Sequence, residues 1–111
     1  MTLEELKQLL EQTGLPVFYR QWTSDDPRYP KFPGPPFLCY LEGSSNHFIA
    51  DSQVYQKVRS VSVELYTDKK EPELEEQLEA LFDAAGLPYQ SDEIWIKEEK
   101  MQEKIYDMEL I

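Results

Sequence analysis

Apolar and polar positions alternate through residues 60–68: Val61, Val63 and Leu65 fall on one side of the chain, Ser60, Ser62, Glu64 and Tyr66 on the other. That period of two is what a half-buried strand requires. The stretch from Val58 to Tyr66 therefore reads as a long strand, which turns through Asp68-Lys69-Lys70-Glu71-Pro72 into an acidic amphipathic helix. In that helix Leu74, Leu78, Leu81, Phe82 and Ala85 recur at helical spacing, Pro72 sits near the start, and Gly86-Leu87-Pro88 closes it.

The same punctuation occurs near the amino terminus. Thr2 is placed to cap a first helix, with Glu5 three residues on completing a capping box, and Leu3, Leu6, Leu9 and Leu10 supply its apolar stripe. Gly14 ends the helix because the left-handed conformation costs glycine little, and Pro16 forbids continuation. Val17 to Trp22 then reads as a short strand. Gly14-Leu15-Pro16 and Gly86-Leu87-Pro88 are one stop signal used twice, since the strands around them do not match as an internal repeat would.

Residues 23–36 hold five prolines in fourteen positions, which removes donors and fixes dihedrals, so neither a helix nor a central strand is expected there. An extended loop follows from this. Phe37 to Glu42 reads as an apolar strand, Gly43-Ser44-Ser45-Asn46 as a turn, and His47 to Asp51 as a short strand or loop edge, with re-entry into the sheet between Val54 and Val58. Glu93 to Glu98 and Lys104 to Leu110 read as a closing hairpin joined by Glu99-Lys100-Met101-Gln102-Glu103, its final strand half exposed, with Tyr106, Met108 and Leu110 on one face. The expected fold is α+β: a mostly antiparallel sheet with two helices packed on one face, in a single domain over residues 1–111.

Composition narrows the function classes. The 111 residues are 41% hydrophobic and 13% aromatic, enough to build one small core despite 30% charge. Eleven basic residues against twenty-two acidic ones leave a net charge of −11, a sign that repels a phosphate backbone. The single cysteine, Cys39, has no internal partner for a disulfide, the amino terminus opens on an acidic helix in place of a signal peptide, and no apolar run approaches the ~20 residues that span a bilayer. A soluble protein of a reducing compartment is expected.

Catalytic grammar is sparse. His47 is the one histidine, eight residues from Cys39, and a Cys39–His47 dyad across a tight hairpin competes with the ordinary reading of Cys39 as a small buried residue between Leu38 and Tyr40. One His and one Cys do not make a zinc tetrad, the acids lack calcium-loop spacing, and the four glycines at 14, 34, 43 and 86 form no phosphate cradle. We therefore expect no catalytic, cofactor-binding or metal-binding residues. Attention moves to surfaces: Trp22, Tyr29, Phe32 and Phe37 border the proline-rich loop as rigid aromatic anchors, although Trp22 and Phe37 also suit a core. His47 and Phe48 mark a second candidate contact. The acids Glu71, Glu75, Glu76, Glu79 and Asp83 crowd the second helix, where they serve solubility, repel DNA from the wall of a channel, or imitate its phosphates.

Taken in order, the helix with Gly-Leu-Pro, the proline-rich loop, Pro36-Phe37-Leu38-Cys39-Tyr40-Leu41, Phe48-Ile49-Ala50-Asp51 with Val54-Tyr55, Val61-Ser62-Val63-Glu64-Leu65-Tyr66-Thr67, the acidic helix and the closing hairpin resemble small tail proteins of prophages and long-tailed phages of Gram-positive bacteria. More broadly the chain resembles the tail terminator, or tail-to-head joining, family. The resemblance covers nearly the whole chain and implies a tail-terminator-like fold and a structural, non-enzymatic role. Such subunits close into a ring, usually a hexamer, that caps the tail tube and docks to the head. The implied partners are further copies of the chain, the tail tube protein and a head completion or connector protein. DNA would pass without being bound specifically, no membrane would be involved, and the location would be the virion tail, after assembly in the host cytoplasm. Another head–tail connector component and an acidic DNA-mimic inhibitor are the alternatives.

Overall fold

The computed structural model describes residues 1–50 and 53–110, with side chains described outside 44–57. Helix α1 (Leu3–Glu11) begins on the expected capping box: the Glu5 amide donates to Thr2 Oγ1 at 3.1 Å and the Thr2 amide to Glu5 Oε1 at 2.9 Å. Strand β1 (Val17–Tyr19) is shorter than the sequence predicts, because Arg20 takes a positive φ of 69° and turns the chain away. Strands β2 (Phe37–Ala50) and β3 (Gln53–Thr67) lead to helix α2 (Pro72–Ala84), then β4 (Tyr89–Ile96) and β5 (Met101–Leu110). The five strands form one mixed sheet in the order β1-β2-β3-β5-β4, with β1 parallel to β2 and every other pair antiparallel.

Both helices cover one face of this sheet, as the sequence predicts. Val61, Val63 and Leu65 of β3 meet Tyr106, Met108 and Leu110 of β5 beneath Leu6 and Leu10 of α1 and Leu78 and Phe82 of α2, all buried. Full burial of such side chains contributes roughly 1.5–3 kcal/mol each before the conformational entropy of ordering them is set against it. Leu3 and Leu9 complete the stripe of α1 at its margin, while Ala85 of the expected α2 stripe is exposed at the helix end.

Helix α2 ends in a Schellman motif. The Leu87 amide donates to the Phe82 carbonyl at 2.9 Å, the Gly86 amide to that of Asp83 at 3.1 Å, and Gly86 takes φ +69° with open space where a Cβ would stand. Gly86→Ala should therefore lower stability by about 1–2 kcal/mol through backbone strain alone, a loss that thermal unfolding would read directly.

The Gly43-Ser44-Ser45-Asn46 turn is corrected by the structure. Strand β2 runs straight through it, and the pairing steps from Glu42↔Val61 to Ser45↔Arg59. Gly43 and Ser44 of β2 thus oppose Ser60 of β3 alone, a bulge seated at a glycine, so the turn-forming composition marks an irregularity inside a strand. Because β5 pairs with β3 from Arg59 onward, the described residues beyond Glu42 and before Arg59 form a two-stranded ribbon past the end of the sheet. His47 and Phe48 lie on this ribbon, and their side chains fall outside the described residues, as do the positions at 51–52.

Candidate functional site

Alternation along the strands leaves a second sheet face, and the proline-rich loop folds over part of it. Phe18 of β1 with Phe37 and Cys39 of β2 form a small second core, packed by Trp22, Tyr29, Tyr66 and Met101. Rings meet in sequence: Tyr29 edge-on to Phe18 at 5.6 Å, Phe32 to Phe37 at 5.3 Å, and Phe37 stacked on Tyr66 at 4.7 Å. Hydrogen bonds fix the path of the loop. Trp22 Nε1 donates to the Tyr29 carbonyl at 2.7 Å, and Arg28 Nη2 reaches the Val17 carbonyl at 3.2 Å and Asp26 Oδ2 at 3.2 Å. The loop is a third layer on the sheet, and this changes the standing of its aromatic residues. Phe37 is a core residue at 6% exposure and Trp22 and Tyr29 are half-buried supports, while Phe32 remains 47% exposed at the loop's outer surface.

Beside this covered patch the face is polar, and it holds a group the sequence did not single out. Tyr66 Oη stands 3.0 Å from Glu64 Oε1 and 3.1 Å from Glu103 Oε2, with Glu103 itself only 9% exposed. A hydroxyl carries one hydrogen, so it donates to one carboxylate at a time; the other contact becomes a hydrogen bond only when that carboxyl is protonated and donates to the phenolic oxygen. Burial pushes Glu64 up to about 7, the neighbouring Glu103 carboxylate adds to the shift, and the Tyr66 hydrogen bond opposes it. In the row alongside, Ser62 Oγ donates to Asp107 Oδ1 at 2.6 Å. Sequence periodicity placed Glu64 and Tyr66 on this face but left Glu103 in the hairpin turn; the earlier start of β5 at Met101 brings it opposite Tyr66.

Cys39 does not form a reactive centre with these groups. Its thiol is buried and pushed up to about 12, first by desolvation and then by the Glu64 and Glu103 charges, which leaves it protonated and inert at neutral pH. Among the described residues no three His, Cys, Asp or Glu side chains stand together as a metal site, and no helix is long and apolar enough to cross a membrane.

The five acids named on α2 do not share one surface. Glu75 is turned inward at 6% exposure, where Lys70 Nζ meets its Oε1 at 2.7 Å and Lys104 Nζ approaches to 3.9 Å. Glu79, one turn on, accepts a 2.7 Å hydrogen bond from the Tyr106 hydroxyl. These two belong to the sheet side of the helix, a correction to their reading as lumen acids, and Glu71 is half-buried at the helix start. Glu76 and Asp83 alone of the five are exposed. Residues four apart on a helix share a face, and the inward face here is wide enough to take in two carboxylates because β5 offers Lys104 and Tyr106 opposite them.

The far margin of the sheet also differs from expectation. The last strand in sequence, β5, is internal, and β4 is the edge. Every residue from Gln90 to Trp95 is exposed, including Ile94 at 44% and Trp95 at 56%. The sequence marks these two as strand residues; only the strand order shows that they have no neighbour on one side.

No family model matches the chain, and no curated protein matches its sequence.

Proposed function

We propose that this protein is a structural assembly subunit, a tail-terminator-like component that forms a ring at the head-proximal end of a phage or prophage tail tube, ends tube growth and joins tail to head, with no catalytic role. The reading rests on the sequence resemblance, and one observation supports it physically: Phe32 stands 47% exposed at the outer surface of the loop layer, while α2, with Glu76 and Asp83 exposed, covers the opposite face of the sheet. Closing a ring head to tail needs two unlike patches per subunit, facing different ways, and aromatic residues on well-supported segments are the usual anchors of such contacts. Its partners are further copies of the chain, closing into a hexameric ring, together with the tube protein and a head completion or connector protein. Its place is the virion tail, and the acidic surface, with Glu76 and Asp83 exposed on α2, lets DNA pass without adhering.

Native mass spectrometry of the chain, alone and with tail tubes of its phage, tests this. A closed oligomer, formed alone or on the tube end, is the expected result; a monomer that binds neither tube nor head component refutes it. Phe32→Ala should weaken that association at least about tenfold, the scale of a modest hot spot, while shifting the thermal midpoint by only a few degrees, about the effect of a partly exposed side chain.

A further inference from the structure

The two edges of the sheet are treated differently, and the difference points to a binding strand. On one side β1 is three residues long, and its Val17 carbonyl is occupied by the Arg28 side chain. On the other, β4 offers eight residues in unbroken register with β5, from Tyr89↔Met108 to Ile96↔Met101. Exposed edges are ordinarily blunted by proline, lysine, a bulge or short length; Tyr89–Ile96 contains no proline and no basic residue, and its pairing shows no register shift. Two acids in mid-strand are the exception. Asp92 is one of them, and its Oδ1 accepts the Glu93 amide at 2.8 Å.

We propose that β4 is the acceptor edge for β-augmentation, taking an extended basic segment of another protein as a sixth strand. Main-chain hydrogen bonds would supply the pairing, and the alternating side chains its specificity. Asp92, Ile94 and Ile96 face the loop side of the sheet and Ser91, Glu93 and Trp95 the helix side, so an antiparallel partner meets Trp95 and Ile94 first and then Glu93 and Asp92. The complementary partner sequence is two apolar residues followed by two basic ones. Surrounding charge at the Tyr89 end favours the same occupant, since Glu79 and Asp83 act on Tyr89 there; the turn at the other end, Lys97-Glu98-Glu99-Lys100, is neutral, and Lys70 reaches Glu93 at 2.6 Å. A second copy of the chain fits poorly. Pairing two β4 strands antiparallel over their full length sets each Asp92 against the other's Glu93, where like charges directly opposed are destabilising, and brings together two chains of charge −11.

The inference does not depend on the tail assignment and is tested on the full chain with a blocked seven-residue peptide, Thr-Val-Ile-Lys-Arg-Thr-Thr, at low salt. Amide chemical shifts in the two-dimensional NMR spectrum should move along residues 89–96 on titration. Affinity should fall at least about tenfold when Glu-Glu replaces Lys-Arg, and also fall with added salt, as exposed charge pairs are screened. Ile94→Lys, at an exposed position, should leave the remaining spectrum in place and weaken binding at least fivefold, because it blunts the edge and repels the basic strand. Four results would each overturn the proposal: no shifts, shifts centred elsewhere, equal binding of the acidic peptide, or concentration-dependent broadening of residues 89–96 without peptide, which would assign the edge to a second copy.

Discussion

Phe82→Ala is expected to cost about 3–5 kcal/mol, the usual range for deleting a buried aromatic ring. Phe82 is fully buried, and its ring lies 5.3 Å from that of Tyr106 and 5.6 Å from that of Tyr89, so it joins α2 to both β5 and β4. Its carbonyl also accepts the Leu87 amide of the helix stop. The surroundings have little means of collapsing into the space, since Tyr106 is itself fixed through its hydroxyl to Glu79 at 2.7 Å. In a domain of 111 residues a loss of this size lowers Tm by more than about 10 °C. Calorimetry or circular dichroism melting would read it, and a shift under a few degrees would show that Phe82 is not central to the core.

Glu64→Gln should produce the second large effect, and one that depends on pH. Burial and the neighbouring Glu103 hold the folded-state pKa of Glu64 up to about 7, against an ordinary 4.5. The folded chain then binds this proton more tightly than the unfolded chain, so the corresponding stability is fully present below pH 4.5, falls as pH rises, and is gone above about 7. Because the side chain is only half buried, solvent screening reduces the effect to about 1–2 kcal/mol. Three other acids act in the opposite sense. Hydrogen bonds to Thr2, Arg28 and Lys70 hold Glu5, Asp26 and Glu93 below their usual range, and what they contribute is lost as pH falls through those lowered values. Wild-type stability should therefore peak between about pH 4.5 and 6 and decline toward pH 8. Glu64→Gln keeps a neutral group beside Tyr66 at every pH, and should flatten the decline while leaving stability at pH 4.5 within about 0.5 kcal/mol of wild type. Denaturant unfolding at pH 4.5, 6 and 8 measures both curves; identical slopes in the two proteins would show that the Glu64, Tyr66 and Glu103 group does not retain a proton.

That pH response also marks where the chain's own pattern stops being informative. Period and punctuation, each a property of residues close in sequence, were enough for the two helices, both glycine stops, the capping box, the inward face of Val61, Val63 and Leu65, and the α+β class with helices on one face. Composition was enough to forbid a helix or central strand through the five prolines of residues 23–36. Local chemistry misled at Gly43 to Asn46, because the residues that favour a turn also favour a bulge, and the choice between them depends on whether a partner strand continues alongside. Partner identity is a tertiary fact. It buried Phe37 beneath the loop, turned Glu75 and Glu79 toward Lys104 and Tyr106, set Glu103 against Tyr66 from thirty-seven residues away, and left β4 as the edge even though β5 comes last in sequence. Hydrophobic spacing along a chain states which face of each element is buried; which element covers that face, and which carboxylates are thereby brought together, is decided only when strand order and loop path bring distant residues into contact.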